Sequence, residues 1–134
     1  MLKKIDHLGI AVRNLEEAIE TMRKAFGIEP DFQELVADQD VKVAGFRIGE
    51  NVIEYLAPVS DNSPISKFLE KHQSGIHHIA FRVEDLESVL KKLRDQGFHL
   101  IDSHARRGAD GKRIAFLHPK SFNGILIELC EGTG

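Results

Sequence analysis

Two histidines and two glutamates recur in this chain in the same order and at nearly the same separation. His7 precedes Glu54 by 47 residues, and His78 precedes Glu128 by 50. Imidazole nitrogen and carboxylate oxygen are ordinary ligands of a divalent ion. Two of each suit Co²⁺, Ni²⁺, Mn²⁺, Fe²⁺ or Zn²⁺, with two further positions open if the ion is octahedral. A single histidine in a strand is usually structural, and a single strand glutamate is usually solvated. A duplicated pair at near-equal spacing argues against both.

The pair belongs to a longer repeat. Residues 7 to 16 read His-Leu-Gly-Ile-Ala-Val-Arg-Asn-Leu-Glu, and residues 78 to 87 read His-Ile-Ala-Phe-Arg-Val-Glu-Asp-Leu-Glu. Each copy closes on a second matching phrase, Val52-Ile53-Glu54-Tyr55-Leu56 and Leu126-Ile127-Glu128-Leu129-Cys130. Self-similarity over this length implies two similar half-domains, each supplying one His and one Glu.

The elements that must position these groups follow from local pattern. Residues 4 to 12 alternate as a strand. Asn14 followed by Glu17 forms a capping box and opens a helix, whose apolar positions are Leu15, Ala18, Ile19, Met22 and Phe26. Gly27 and Pro30 end it. Strands are expected over 31–36, 41–48 and 52–57, with a turn at Gly49-Glu50-Asn51. Ser63 and Pro64 start a short connector helix that buries Ile65, Phe68 and Leu69. The plan then repeats: a strand over 77–83, Asp85 as N-cap, and a helix with Leu86, Val89, Leu90 and Leu93 apolar. Gly97 follows it, then strands near 98–103, 112–117 and 125–130. The expectation is a single domain over 1–134: module one about 4–58, a connector about 59–75, and module two about 76–131. Its class is α+β, with two tandem βαβββ modules forming one curved mixed sheet around a metal site and helices on the outer face.

Strand parity places the four groups. Gly9 and Ala11 share the face of His7, and Ala80 and Arg82 share that of His78. Leu8, Ile10 and Val12, with Ile79, Phe81 and Val83, lie on the opposite faces and are expected to form core. Glu54 lies with Val52 and Leu56, and Glu128 with Leu126 and Cys130, while Ile125, Ile127 and Leu129 have the core-like parity. Each His therefore projects away from its own helix, beside small residues that leave space for a ligand. Burying two carboxylates and two imidazoles unpaired would be costly, and a divalent metal removes that cost. His77 has the wrong parity. His72, His99, His104 and His118 are dispersed and read as surface or supporting residues, and Cys130 as a small apolar residue.

Composition sets limits. With 134 residues, 42% apolar and 29% charged, the chain has the make-up of a soluble globular domain. A net charge of −3 gives no reason to expect nucleic acid or an anionic membrane surface as partner. The apolar runs are strand-sized, and the first residues lack the apolar stretch of a signal peptide. One cysteine excludes an intrachain disulfide framework and suits a cytoplasmic location.

These features resemble the vicinal oxygen chelate superfamily, and within it the methylmalonyl-CoA epimerase family. The carrying phrases are Ile5-Asp6-His7-Leu8-Gly9-Ile10-Ala11-Val12, Asp61-Asn62-Ser63-Pro64-Ile65-Ser66-Lys67-Phe68-Leu69-Glu70-Lys71 and Gly75-Ile76-His77-His78-Ile79-Ala80-Phe81. Phe116-Leu117-His118-Pro119-Lys120-Ser121 and Gly124-Ile125-Leu126-Ile127-Glu128-Leu129 complete them. The resemblance covers nearly the whole chain. It implies metal ligation by His7, His78 and Glu128, with Glu54 at the remaining position and Co²⁺ as the expected ion. It also implies an acyl-CoA substrate and a homodimer. Some epimerases carry Gln at the position of Glu54 and a second catalytic Glu near that of Val43. Here Val43 cannot move a proton, so Glu54 is expected to take over as base; Asp38 and Asp40 are nearby loop alternatives.

The reaction implied is epimerisation of (2R)- and (2S)-methylmalonyl-CoA by 1,1-proton transfer through a metal-stabilised enolate, with Glu54 and Glu128 on opposite faces of carbon 2. Arg106, Arg107, Lys112, Arg113 and Lys120 are candidates by charge for the coenzyme A phosphates. A glyoxalase I-like lactoylglutathione lyase would use the same metal and bases. A metal-free small-molecule-binding protein of the bleomycin-resistance type would need none of them. An extradiol dioxygenase would need redox iron.

Overall fold

The computed structural model describes residues 1–132. Its strands are β1 (Leu2–Ala11), β2 (Phe32–Val36), β3 (Val41–Ile48), β4 (Asn51–Pro58), β5 (Gly75–Val83), β6 (Arg106–Arg107), β7 (Arg113–Leu117) and β8 (Ile127–Glu131). Its α-helices are α1 (Leu15–Phe26), α2 (Pro64–Lys71) and α3 (Leu86–Asp95). The chain divides into two units, His7–His77 and Met1–Asp6 with the segment from His78 onward. The two βαβββ modules and the α+β class expected from the sequence are both present. Among the described residues no helix is long and apolar enough to cross a membrane.

In the unit His7–His77 the strands run in the order β2-β3-β4-β1. β2 pairs antiparallel with β3 and β3 with β4, whereas β4 and β1 are parallel. The Asn14 side chain accepts the Glu17 backbone N–H at 3.0 Å, satisfying one of the helix's unpaired donors. Gly27 takes a left-handed conformation (φ 67°) that ends the helix at little steric cost. Leu15, Ile19 and Met22 of α1 pack on Ala44, Phe46 and Ala57, flanked by Val12, Ile28 and Tyr55. Burial of each such large side chain contributes about 1.5–3 kcal/mol. The Ser63 hydroxyl accepts the Ile65 N–H as Pro64 opens α2.

The second unit orders its strands β5-β8-β7-β6, with β5 and β8 parallel and the rest antiparallel. Asp85 caps α3 by accepting the Ser88 N–H. Leu86, Val89 and Leu90 then pack on Val83, Ala115, Leu117 and Leu129. The strand expected near 98–103 does not form, apart from a bridge between Leu100 and Leu117. The Asp102 carboxylate takes the Phe116 N–H at 2.8 Å, while the Phe116 carbonyl accepts both Ile101 and Asp102 N–H groups. A side chain thus replaces part of the backbone ladder beside β7, and regular pairing resumes only at Arg106.

Each helix therefore covers one strand parity. Leu8, Ile10 and Ile79, expected as core, are only half-buried, whereas Gly9 and Ala11 on the face of His7 are buried. The reason is that the contacts of α1 concentrate on β3 and β4, and those of α3 on β7 and β8.

Asp6 anchors a buried ion group with Arg82 and Lys112. It is 1% exposed, and its Oδ2 accepts hydrogen bonds from Arg82 Nε (3.0 Å) and Nη2 (2.7 Å). Lys112 Nζ donates to its Oδ1 at 2.8 Å. Removing one member of such a group leaves the others desolvated without compensation. Asp6→Ala is expected to cost about 3 kcal/mol of stability, the low end for a buried ion pair because both cations retain some contact with water. Urea unfolding measures this, and a loss below about 1 kcal/mol would show that the group does not hold the unit together.

Candidate functional site

The parity left uncovered by the helices carries the candidate residues. In β3 and β4 it presents Val43, Gly45, Glu54 and Leu56, since Ala44, Phe46, Tyr55 and Ala57 face α1. In β5, β7 and β8 it presents His78, Ala80, Phe116, Glu128 and Cys130.

The unit His7–His77 brings His7 and Glu54 together, with Nε2 and Oε1 3.5 Å apart and both residues buried. The neighbours of Glu54 on either side are glycines, Gly9 on β1 and Gly45 on β3. Gly45 cannot be replaced there without movement, because a Cβ would lie 2.1 Å from the Phe32 ring. Phe32 thus covers Gly45 beside the carboxylate, and the Arg47 guanidinium sits 5.9 Å above that ring.

The second unit brings His78 and Glu128 together, with Nε2 and Oε1 3.1 Å apart and both residues again buried. Here the cross-strand neighbours of the glutamate are Ala80 and Phe116. The Phe116 ring stands edge-on to His78 at 5.5 Å, and Arg106 lies over it at 5.6 Å. Each module therefore surrounds its His–Glu pair with one aromatic ring capped by one arginine. The ring comes from a different strand in each, β2 in one and β7 in the other.

The reading of Cys130 as a plain apolar filler is corrected. Its Sγ lies 2.9 Å from Glu128 Oε2 and donates its proton there. Burial pushes the thiol pKa well up, and the charges of Glu128 and Asp6 push it further. Parity puts Cys130 on the face of Glu128, two residues on, but no pattern in the sequence marks its thiol as a donor.

The remaining residues singled out by the sequence lie elsewhere. His72 and His77 pack on Phe68, His104 pairs with Glu87, and His118 accepts the Lys120 N–H to cap a turn. Asp38 lies in a 3-10 turn, and Asp40, which ends that turn, accepts a hydrogen bond from the Ser60 hydroxyl. Among the cations proposed for phosphate, Lys112 is held by Asp6, and Arg113 by Glu131 and Glu87. Val43 is 1% exposed and faces the same side as Glu54.

The donor set fits a divalent ion. Each glutamate is 4% exposed, and a carboxylate taken out of water costs several kcal/mol unless it meets a cation or donors. In each pair an imidazole nitrogen and a carboxylate oxygen are directed at one another, both being ligand atoms of the borderline metals.

Comparison with known proteins gives concordant results. The Glyoxalase/Bleomycin resistance protein/Dioxygenase superfamily profile matches residues 6–116. A mitochondrial methylmalonyl-CoA epimerase of Dictyostelium discoideum is 42% identical over 131 residues, covering 96% of this chain and 78% of that protein. An ethylmalonyl-CoA/methylmalonyl-CoA epimerase of Cereibacter sphaeroides is 39% identical over 131 residues, covering 96% and 98%. A Streptomyces coelicolor methylmalonyl-CoA epimerase variant in complex with 2-nitronate-propionyl-CoA superposes with a TM-score of 0.95 at 35% identity, covering 100% of this chain and 97% of that one.

Proposed function

This chain belongs to the Glyoxalase/Bleomycin resistance protein/Dioxygenase superfamily and, within it, to the methylmalonyl-CoA epimerase family, and from that premise we propose that it interconverts (2R)- and (2S)-methylmalonyl-CoA. The observation that carries this reading is the pair of buried His–Glu contacts, one per module, on the strand face away from the helices. The ligands we assign to a divalent ion, Co²⁺ in first place, are His7, Glu54, His78 and Glu128. When bound, that ion supplies electrophilic pull on the thioester and carboxylate oxygens that flank carbon 2.

The protein's own groups move the proton. Glu54, as carboxylate, takes the carbon 2 proton on one face, and Glu128, as carboxylic acid, returns a proton on the other. The substrate gains and loses one proton, its configuration inverts, and the enzyme's proton has moved from Glu128 to Glu54. The reverse reaction exchanges the roles, and solvent resets the pair. Glu54 is assigned as base because Val43, the buried residue on the same strand face, has no group that can move a proton. On the β1 side of Glu54 the neighbouring residue is Gly9, which places no side chain beside the carboxylate.

The test is exchange in D₂O. The protein is expected to wash deuterium into carbon 2 of methylmalonyl-CoA and to equilibrate the two epimers. An absence of both with methylmalonyl-CoA, alongside turnover of the methylglyoxal–glutathione adduct, would replace this reading with the glyoxalase I-like one.

A further inference from the structure

We propose that Cys130 is a positioning residue, whose thiol holds the Glu128 carboxylate in one rotational state. The inference rests on the reading of Glu128 as ligand and acid–base group, and adds a residue that this reading leaves out. Two contacts divide the carboxylate. Cys130 Sγ donates to Oε2 at 2.9 Å, while Oε1 is the oxygen facing His78 Nε2 at 3.1 Å. A donor at one oxygen opposes the rotation that would exchange the two, and so favours Oε1 as the atom beside His78. Partners of this kind commonly change metal affinity or activity by about 10–100-fold.

The surroundings make the thiol a fixed support. Cys130 is 0% exposed and packs with Ala80, Ile114, Phe116 and the half-buried Leu126. Its strand neighbour across β7 is Ile114 and across β5 is Arg82, the residue clamped by Asp6. The sulfur therefore sits between a packed apolar cluster and the buried ion group, with little freedom to turn away. The repeat is broken here. The residue two positions beyond Glu54 is Leu56, which has no proton to donate. A side-chain donor from this position is thus specific to the second module, the one that holds Glu128.

Because the chain has one cysteine, its S–H stretching band reports a single site. In the metal-free protein that band is expected at lower frequency than in Glu128→Gln, whose neutral amide is a weaker acceptor. Cys130→Ala is expected to lower kcat and Co²⁺ affinity about tenfold each, with KM within about twofold of the parent. Cys130→Ser, which keeps a donor, is expected to recover most of both losses. The proposal is overturned by an unshifted S–H band in Glu128→Gln, by an alanine variant with parental kcat and Co²⁺ affinity, or by a serine variant no better than alanine. If the parent protein neither binds Co²⁺ nor turns over methylmalonyl-CoA, the functional reading fails instead, and the infrared band alone decides whether the thiol holds Glu128.

Discussion

Replacing Glu54 by Gln is expected to slow interconversion of the two epimers by about 10²–10⁴-fold, the range for loss of a positioned acid or base. The amide keeps size and one ligand oxygen but cannot accept the carbon 2 proton. Glu128 can still remove and return a proton on its own face. In D₂O the variant should therefore exchange deuterium into one epimer with retention of configuration, while the other stays unlabelled. Loss of labelling in both would point to general damage at the site instead.

The departure at Val43 supplies a sharper form of this experiment. Val43 and Glu54 face the same side, and Val43 pairs across the strands with Leu56, two residues beyond Glu54. Adding Val43→Glu to the Glu54→Gln background returns a carboxylate to the strand face that Glu54 occupies. Activity is expected to rise at least about tenfold over the single variant, since a general base is regained, although burying a new carboxylate at a site 1% exposed lowers stability. Near-parental interconversion by Glu54→Gln alone would sink the assignment of Glu54 as the base.

Removal of divalent metal should have the second large effect. Extended dialysis against a chelator is expected to reduce epimerisation by about a thousandfold or more, as electrophilic stabilisation of several kcal/mol is lost. Readdition of Co²⁺ should restore it. Stability offers an independent readout. An ion present at about 100 times its Kd contributes about 2.7 kcal/mol to a folded state that alone binds it, which for a domain of this size raises Tm by about 10 °C. Activity that survives complete demetallation, with Tm unmoved by Co²⁺, would leave the His–Glu pairs as buried structural contacts and favour a metal-free mechanism.

Much of the architecture was readable before any coordinates, because it depends on interactions within a few residues. Asn14, Ser63 and Asp85 each cap the helix they were assigned to, since a cap needs only a short side chain and an N–H two or three residues on. Strand β3 falls on the residues expected of it, 41–48, and the His and Glu repeats lie on the face that parity placed away from the helices. The segment near 98–103 failed for a matching reason. Its alternation is strand-like, but Asp102 competes for the backbone of Phe116, and that competition lies fourteen residues away.

The sequence by itself determined that two His–Glu pairs exist, which elements carry them and what ions their donors suit, because residue chemistry and a two-residue period are local properties. Only the tertiary structure decided what surrounds them. Strand register set glycines on both sides of Glu54 but Ala80 and Phe116 beside Glu128. It also turned Cys130 from filler into a donor, and joined Asp6 to Lys112 across 106 residues of chain. Register and long-range ion pairing arise from the packing of whole strands, and no short stretch of sequence encodes them.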